Sequence, residues 1–510
     1  MWLLILCCLI LYLLYKNIVK VYFYWKLRGV PYVRPWPLVG NMSEIVLQKK
    51  EACKIIQEFY DAFPNDRYCG LYQFSRPTLL IRDPNLIKTI TIKEFASFPE
   101  HYLFNNDDND TLENKGLFSL GAKSGWGNMR KTLNRNFTPN SLKEMLPVID
   151  DCGIELINYL FKYQHANIDL KETFTKLSCN ALARIIFNID CNCFEEPIPK
   201  LYNMGNQINN FSGFKFVRMF AMSLSRTLTK ILCINLASEE VFQYFFSLIK
   251  KSIQDYNNRD KPRDKRNMVH LLTIDHLDNS NPDNCDLISV GRKILNVDEI
   301  AMQLFGFFIG GYDAIPSLLS YTFYELSVNP EIQQRLYQEI CICCNNYDDL
   351  LKNKYLNMVT SEVLRKWPIS VFVDRKCVKP FVIEPEKPNE TKLLVEPGVV
   401  CWIPIYAIHR DPKYYSNPEK FDPERFVDQT QQMHYLPFGS GPRTCIASKL
   451  SMYVCKLIVS KVLQSFKITC CNETVVPGGV SKVVIFLSGA GTKVIFQPRN
   501  KHVVSEQSRN

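Results

Sequence analysis

The stretch Phe438-Gly439-Ser440-Gly441-Pro442-Arg443-Thr444-Cys445 constrains this chain of 510 residues more than any other. It is a glycine-punctuated loop that ends in one cysteine and runs straight into an apolar, helix-like segment. Glycine permits positive φ and close backbone approach, so such a loop can turn amide N–H groups toward a sulfur. An aromatic, a cation and a thiol stand at fixed offsets. Phe438 shields the sulfur from water, Arg443 can neutralise a cofactor carboxylate, and Cys445 supplies the thiolate. The N-terminus of the following helix favours the anionic form of that sulfur. A protein that presents a thiolate to a metal without letting it oxidise needs this combination.

The segment resembles the haem-ligand loop of the cytochrome P-450 superfamily, F-x-x-G-x-R-x-C-x-G, and departs from it at Ala447, where the family usually has glycine. The resemblance implies haem bound through Cys445, with Phe438, Gly441 and Arg443 around it. A thiolate ligand pushes electron density onto iron and favours O–O cleavage. Further motifs follow the family's order. Glu362 and Arg365 are three apart, so on a helix they share a face; with Lys366-Trp367-Pro368 and, later, Arg425 in Asp422-Pro423-Glu424-Arg425-Phe426 they resemble the family's Glu–Arg–Arg structural triad. Trp126 and Arg130, four apart, resemble the W-x-x-x-R helix that contacts a haem propionate, and Arg375 stands where the family places another propionate-binding arginine. A planar guanidinium suits that task because it pairs with carboxylates bidentately. The fold this implies is mainly α with small β-sheets, the cytochrome P-450 α+β fold, preceded by a single N-terminal membrane anchor. The residues around Asp374-Arg375-Lys376-Cys377 are most like the insect detoxification branch.

Composition excludes some classes. The chain has 19 cysteines, an odd number without regular spacing, which reads as reduced thiols in a cytosolic environment rather than a disulfide framework. Cys341, Cys343 and Cys344 have no nearby histidine and read as helix-end and core thiols. The formal charge of +10 suits nucleic acid, anionic lipid or an acidic protein; no aromatic–basic nucleic-acid motif is present, so nucleic acid is excluded. The resemblance implies an NADPH–cytochrome reductase with an acidic docking face as partner. Lys131, Arg135, Lys449 and Lys456 are candidates for the matching basic surface, or merely solubilise the protein. Met1 to Tyr15 is apolar throughout, and a second apolar-aromatic run ends at Trp25 before Lys26 and Arg28. Fifteen helical residues span only ~22 Å of a ~30 Å hydrocarbon core, so spanning needs the second run. Basic residues after the span leave the rest of the chain in the cytosol. The expected organisation is an anchor over 1–28, a proline-rich hinge over 29–42 and a haem-thiolate domain over 43–510, on the cytosolic face of the endoplasmic reticulum membrane and in contact with its lipid. The N-x-S/T sequons, such as Asn136-Phe137-Thr138, matter only in a lumenal domain.

Asn296 and Glu299 form a near capping box for a long helix predicted to reach about Val328. Phe211 to Leu236 occupies the place of the family's lid, either dipping into the membrane or forming a buried helix pair, and Val483 to Phe496 reads as strands around a glycine turn. In the family the long helix carries A/G-G-x-D/E-T, whose acid and alcohol organise water for proton delivery. Here Gly310, Gly311 and Asp313 keep the pattern, but Ala314 replaces the alcohol and Pro316 lies inside the helix. The leading reading is a microsomal monooxygenase inserting an atom of O₂ into a small lipophile, such as a foreign toxin, with electrons from NADPH. A peroxide isomerase or dehydratase, which needs no proton relay, and a catalytically impaired haem or ligand-binding protein are the alternatives.

Overall fold

A helix of 32 residues, Val297–Val328, forms the axis of the molecule. Asn296 accepts from the Glu299 N–H at 2.8 Å while the Glu299 carboxylate accepts from the Asn296 N–H at 3.1 Å. The capping box expected from sequence therefore satisfies two of the donors a helix start leaves unpaired. The helix continues through Pro316 and stops at Asn329, whose N–H donates to the Glu325 carbonyl before Pro330. The computed structural model describes residues 20–102, 115–209, 238–257, 267–269, 271–272, 295–343, 346–388, 390–428, 433–476, 478–480, 487 and 492–499. The lid segment 211–236 and the glycine turn at 488–491 lie outside the described residues.

Around this axis pack α1 (Trp126–Asn134), α2 (Pro139–Lys162), α3 (Leu170–Phe187), α4 (Lys200–Asn209) and α5 (Glu239–Asn257); the axis itself is α6, followed by α7 (Pro330–Cys343), α8 (Lys354–Lys366) and α9 (Ser448–Ser465). α3 lies against α6 along much of its length because its apolar residues leave hardly any polar face: Leu170, Phe174, Leu177, Ala183 and Phe187 are all buried. A four-stranded sheet flanks the helices, with order β1 (Tyr68–Gln73), β2 (Arg76–Ile81), β7 (Val400–Ile403) and β4 (Val373–Lys376). β2 and β7 are parallel and β4 runs antiparallel to β7, which sets Arg375 opposite Cys401. β3 (Ile168–Asp169), β9 (Lys493–Pro498) and β8 (Phe466–Cys470) form a second sheet, and β5 (Phe381–Ile383) pairs with β6 (Leu393–Val395). Helix-rich with small sheets is the architecture the sequence implies.

Among the described residues no helix is long and apolar enough to cross a membrane. Residues 20–28, counted within the anchor above, instead pack on the globular body. Trp25 is 1% exposed, its indole N–H donates to the Leu71 carbonyl at 2.8 Å, and a side chain at Gly70 would strike its ring at 2.4 Å. The proline-rich stretch is also fastened: Gly70 donates to the Pro31 carbonyl, Val33 to Gly70, and the Asn41 amide to Val33 and Arg34. Trp25→Ala is expected to destabilise the domain by about 3–5 kcal/mol, the range for truncating a buried tryptophan. Chemical unfolding checks this, and a change within error would mean that the Trp25 seat on β1 carries no weight.

Candidate active site

Tight turns build the cysteine loop. Gly439 donates to the Leu436 carbonyl, Thr444 to Gly441 at 2.9 Å, and Cys445 to Phe438 at 3.0 Å. Gly439 and Gly441 both have positive φ, +76° and +77°. At Gly441 glycine is needed twice over, because a Cβ there would lie 1.9 Å from the Thr91 carbonyl oxygen. That oxygen belongs to a π-helical turn, Thr89–Lys93, whose backbone presses on the loop. α9 begins just after the cysteine, with Ala447 at its N-cap. Cys445 is exposed, yet protein crowds it closely enough that burial pushes its thiol up, opposed by the Ala447 N–H and the Arg130 guanidinium. Its sulfur thus faces an internal opening rather than bulk water. Cys455, ten residues on, is a core thiol in α9 beside Thr322, pushed up to about 12 by burial.

Three arginines converge on the same loop. Arg130 donates to the Thr444 carbonyl at 2.8 Å and Arg375 to Ser440 at 3.1 Å. Arg443 donates to Pro99, Leu117 and Leu120 carbonyls and lies over the Trp126 ring at 4.1 Å. Among the described residues, none of the three makes a hydrogen bond or ion pair with a carboxylate, and Arg375 Nε has no partner at all. Burial pushes Arg375 down to about 10 and Arg443 down to about 9, the latter helped by repulsion from Arg375 and Arg130. A guanidinium keeps its proton, so these cations stand in unmet need of negative charge. Two carboxylates at the rim of a planar cofactor would meet it. His101, which sequence reasoning missed, adds to this rim: it stacks on Phe118 and binds Asp374 at 2.9 Å. A single histidine gives no signal by spacing.

One face of α6 carries small residues. A Cβ added at Gly306 or Gly310 would meet nothing within 4 Å, although the helix is otherwise enclosed. Ala314 continues the row one turn on, since residues four apart lie above one another. Gly311 faces the other way, where a Cβ would strike Leu182 of α3 at 2.9 Å. The open face, the crowded thiol and the uncompensated arginines together fit a haem. Asp313 does not stand free beside Ala314. Lys171 Nζ binds its carboxylate at 2.5 Å and also donates to Ser317 Oγ at 2.8 Å. Ser317 in turn donates to the Asp313 carbonyl. No local pattern points to Lys171, 142 residues away.

Behind the loop, Glu362 and Arg365 form a buried bidentate pair at 2.6 and 2.9 Å, with Arg425 at 3.5 Å from the same carboxylate. Arg365 also binds the His409 and Pro418 carbonyls, so the expected triad ties α8 to the segment that leads into the cysteine loop. His409 Nε2 accepts from the Leu436 N–H at 2.8 Å. Burial, helped by the Arg365 charge, pushes this histidine down to about 3. The folded state therefore holds the neutral ring. Its contribution is complete above the unfolded value of ~6.5 and is lost as pH falls from there toward 3. His409→Gln should flatten the fall of stability between about pH 6.5 and 4, measured by urea unfolding at several pH values. Parallel curves for the two proteins would remove His409 from the acid response. The basic surface needs one correction: Lys131, Arg135 and Lys449 are exposed, but Lys456 is buried and donates to the Leu351 carbonyl.

Residues 30–492 match the cytochrome P450 family. The chain is 33% identical over 503 residues to the probable cytochrome P450 6a14 of Drosophila melanogaster, covering 94% of this chain and 96% of that one. It is 31% identical over 488 residues to cytochrome P450 9e2 of Blattella germanica, covering 89% and 90%. The chain belongs to the cytochrome P450 family. It is a haem-thiolate monooxygenase, and its haem is bound through a cysteine thiolate. Neither the isomerase reading nor the impaired ligand-binding reading is favoured by these relatives.

Proposed function

We propose that Cys445 is the thiolate that holds the haem iron, that Trp126, Arg130, Arg375 and Arg443 receive the propionates, and that the enzyme oxidises small lipophilic compounds of foreign origin with electrons passed from NADPH by a membrane-bound reductase. One observation carries the site assignment: Arg130, Arg375 and Arg443, none of which has a hydrogen bond or ion pair to a carboxylate among the described residues, gather at the loop that bears Cys445, while α6 carries an open row of small residues. Bound haem supplies the activation of dioxygen, one atom entering the substrate and the other leaving as water. The chain's own residues do the rest. Gly306, Gly310 and Ala314 keep the α6 face low. Phe438 packs against the core beside the loop and keeps water from the sulfur. Gly441 lets the loop approach the Thr89–Lys93 turn, and Glu362, Arg365 and Arg425 hold the scaffold behind it. Asp313, held by Lys171, is the carboxylate nearest the row of small residues and handles protons there.

Lipophilic substrates are supported by the segment over α6. Leu117 N–H donates to Gln303 Oε1 and Gln303 donates back to the Lys115 carbonyl, which fastens a segment bearing the exposed Phe118. Lys131, Arg135 and Lys449 remain the basic surface for an acidic reductase. Membrane attachment rests on composition: residues 1–19 are almost wholly apolar and as a helix would span ~28 Å, with the catalytic domain on the cytosolic face of the endoplasmic reticulum. In the folded domain the sequon residue Asn136 is buried, as suits a domain that never meets the glycosylation machinery. The test is NADPH-dependent product formation with added reductase, set against consumption of a fatty-acid hydroperoxide without it. Oxidised lipophile in the first arm only is the expected result. Rapid rearrangement in the second arm alone would overturn it.

A further inference from the structure

We infer that Cys179, Cys191 and Cys193 form a three-sulfur binding site for a soft cation, copper(I), remote from the haem loop. The three sulfur atoms lie within 4.8 Å of one another, Cys191 and Cys193 at 3.7 Å, and all three residues are buried. A trigonal ion with metal–sulfur bonds of about 2.3 Å sets its sulfurs about 4 Å apart, so the cluster needs to move only by tenths of an ångström.

The surrounding chain holds the sulfurs in place. α3 ends at Asn188 in the left-handed conformation, which turns the chain back so that Ile189 donates to the Ala183 carbonyl. The Asn180 side chain, beside Cys179, accepts from the Cys193 N–H at 2.8 Å and donates to Glu155. Arg184 binds both Glu155 and Asp190. Cys191 and Cys193 are thereby fixed against Cys179 by backbone and side-chain bonds that do not involve sulfur.

The chemistry selects the ion. Among the described residues no histidine or carboxylate joins the group as a fourth ligand, whereas structural zinc is almost always four-coordinate. Thiolates alone in a three-fold arrangement suit a soft copper(I) ion. Lys176 and Arg184 are the cations that face the cluster, with Tyr202, Tyr244 and Tyr312 around it. Occupancy would lock the 188–194 turn onto α3, the helix whose Leu182 seats Gly311.

The experiment titrates the haem-loaded, full-length protein with copper(I), without oxygen and in reductant, against a coloured copper(I) chelator. The exposed Cys470 is a competing thiol, so a Cys470→Ser, Cys471→Ser background is used. One tightly held ion per chain is expected, with a raised unfolding temperature and an unchanged CO-difference spectrum. Cys191→Ser and, separately, Cys193→Ala should each weaken binding by more than about 100-fold, since loss of supporting groups alone costs 10–100-fold in metal sites. X-ray absorption should show sulfur neighbours only. Unchanged copper affinity in either variant that keeps a normal CO spectrum would overturn the site. A disulfide within the cluster that survives reductant would overturn it as well.

Discussion

Cys445→Ser is expected to abolish the strongly red-shifted Soret band of the reduced, CO-bound protein and, with it, all reductase-supported product formation. The red shift is the signature of thiolate ligation, and serine offers a neutral hydroxyl that does not donate comparable charge. The loop itself should survive. Its shape rests on backbone bonds from Cys445 to Phe438 and from Thr444 to Gly441, and on the Gly441–Thr91 approach, none of which involves the sulfur. Far-UV circular dichroism and protease resistance should therefore match wild type while the spectrum changes. Cys455→Ser is the control: its thiol packs beside Thr322 in α9, so the band should persist. If Cys445→Ser keeps the shifted band, or if Cys455→Ser loses it in folded protein, the ligand has been misassigned.

What the sequence revealed and what it hid divide along a physical line. The residues of the cysteine loop were legible because one chemistry demands an aromatic, a glycine, a cation and a thiol at fixed short offsets. Glu362 with Arg365, and Asn296 with Glu299, were legible because helical geometry brings residues three apart together. Lys171 was not, since its bond to Asp313 joins α3 to α6 and no local rule links positions 142 apart. Trp25 was misread because an apolar-aromatic run looks the same whether it meets lipid or the β1 face. Lys456 was misplaced because a lysine in an apolar helix reads as a surface charge until its Nζ is seen on the Leu351 carbonyl. The cysteine cluster escaped for a related reason. Its C-x-C pair follows a helix whose own cysteine lies on the preceding turns, and only the left-handed reversal at Asn188 closes the distance.

The second large effect concerns proton delivery on α6. With Ala314 in place of an alcohol, the side chains available near the row of small residues are Asp313, Lys171 and Ser317, already bonded to one another. The Lys171 bond ties the Asp313 carboxylate down and position 314 offers no hydroxyl, so the wild type should spend part of its NADPH on hydrogen peroxide and water. Ala314→Thr is expected to raise product formed per NADPH and lower peroxide release at unchanged haem content. The hydroxyl can settle on the Gly310 carbonyl one turn back, and threonine in a helix costs well under about 1 kcal/mol, so the fold should tolerate it. Asp313→Asn should lower turnover by about 10²–10⁴-fold, the usual contribution of a general acid, while the CO spectrum stays red-shifted. Lys171→Met separates the two roles: it frees the Asp313 carboxylate and should raise coupling, as the threonine does. Pro316 removes the N–H that would have bonded the Tyr312 carbonyl, so the helix can yield at this point. The double change Ala314→Thr with Pro316→Ser tests whether position 314 still faces the haem. A wild type that is already fully coupled, together with an Asp313→Asn variant of normal turnover, would show that protons reach the site by another route and that this stretch of α6 serves packing alone.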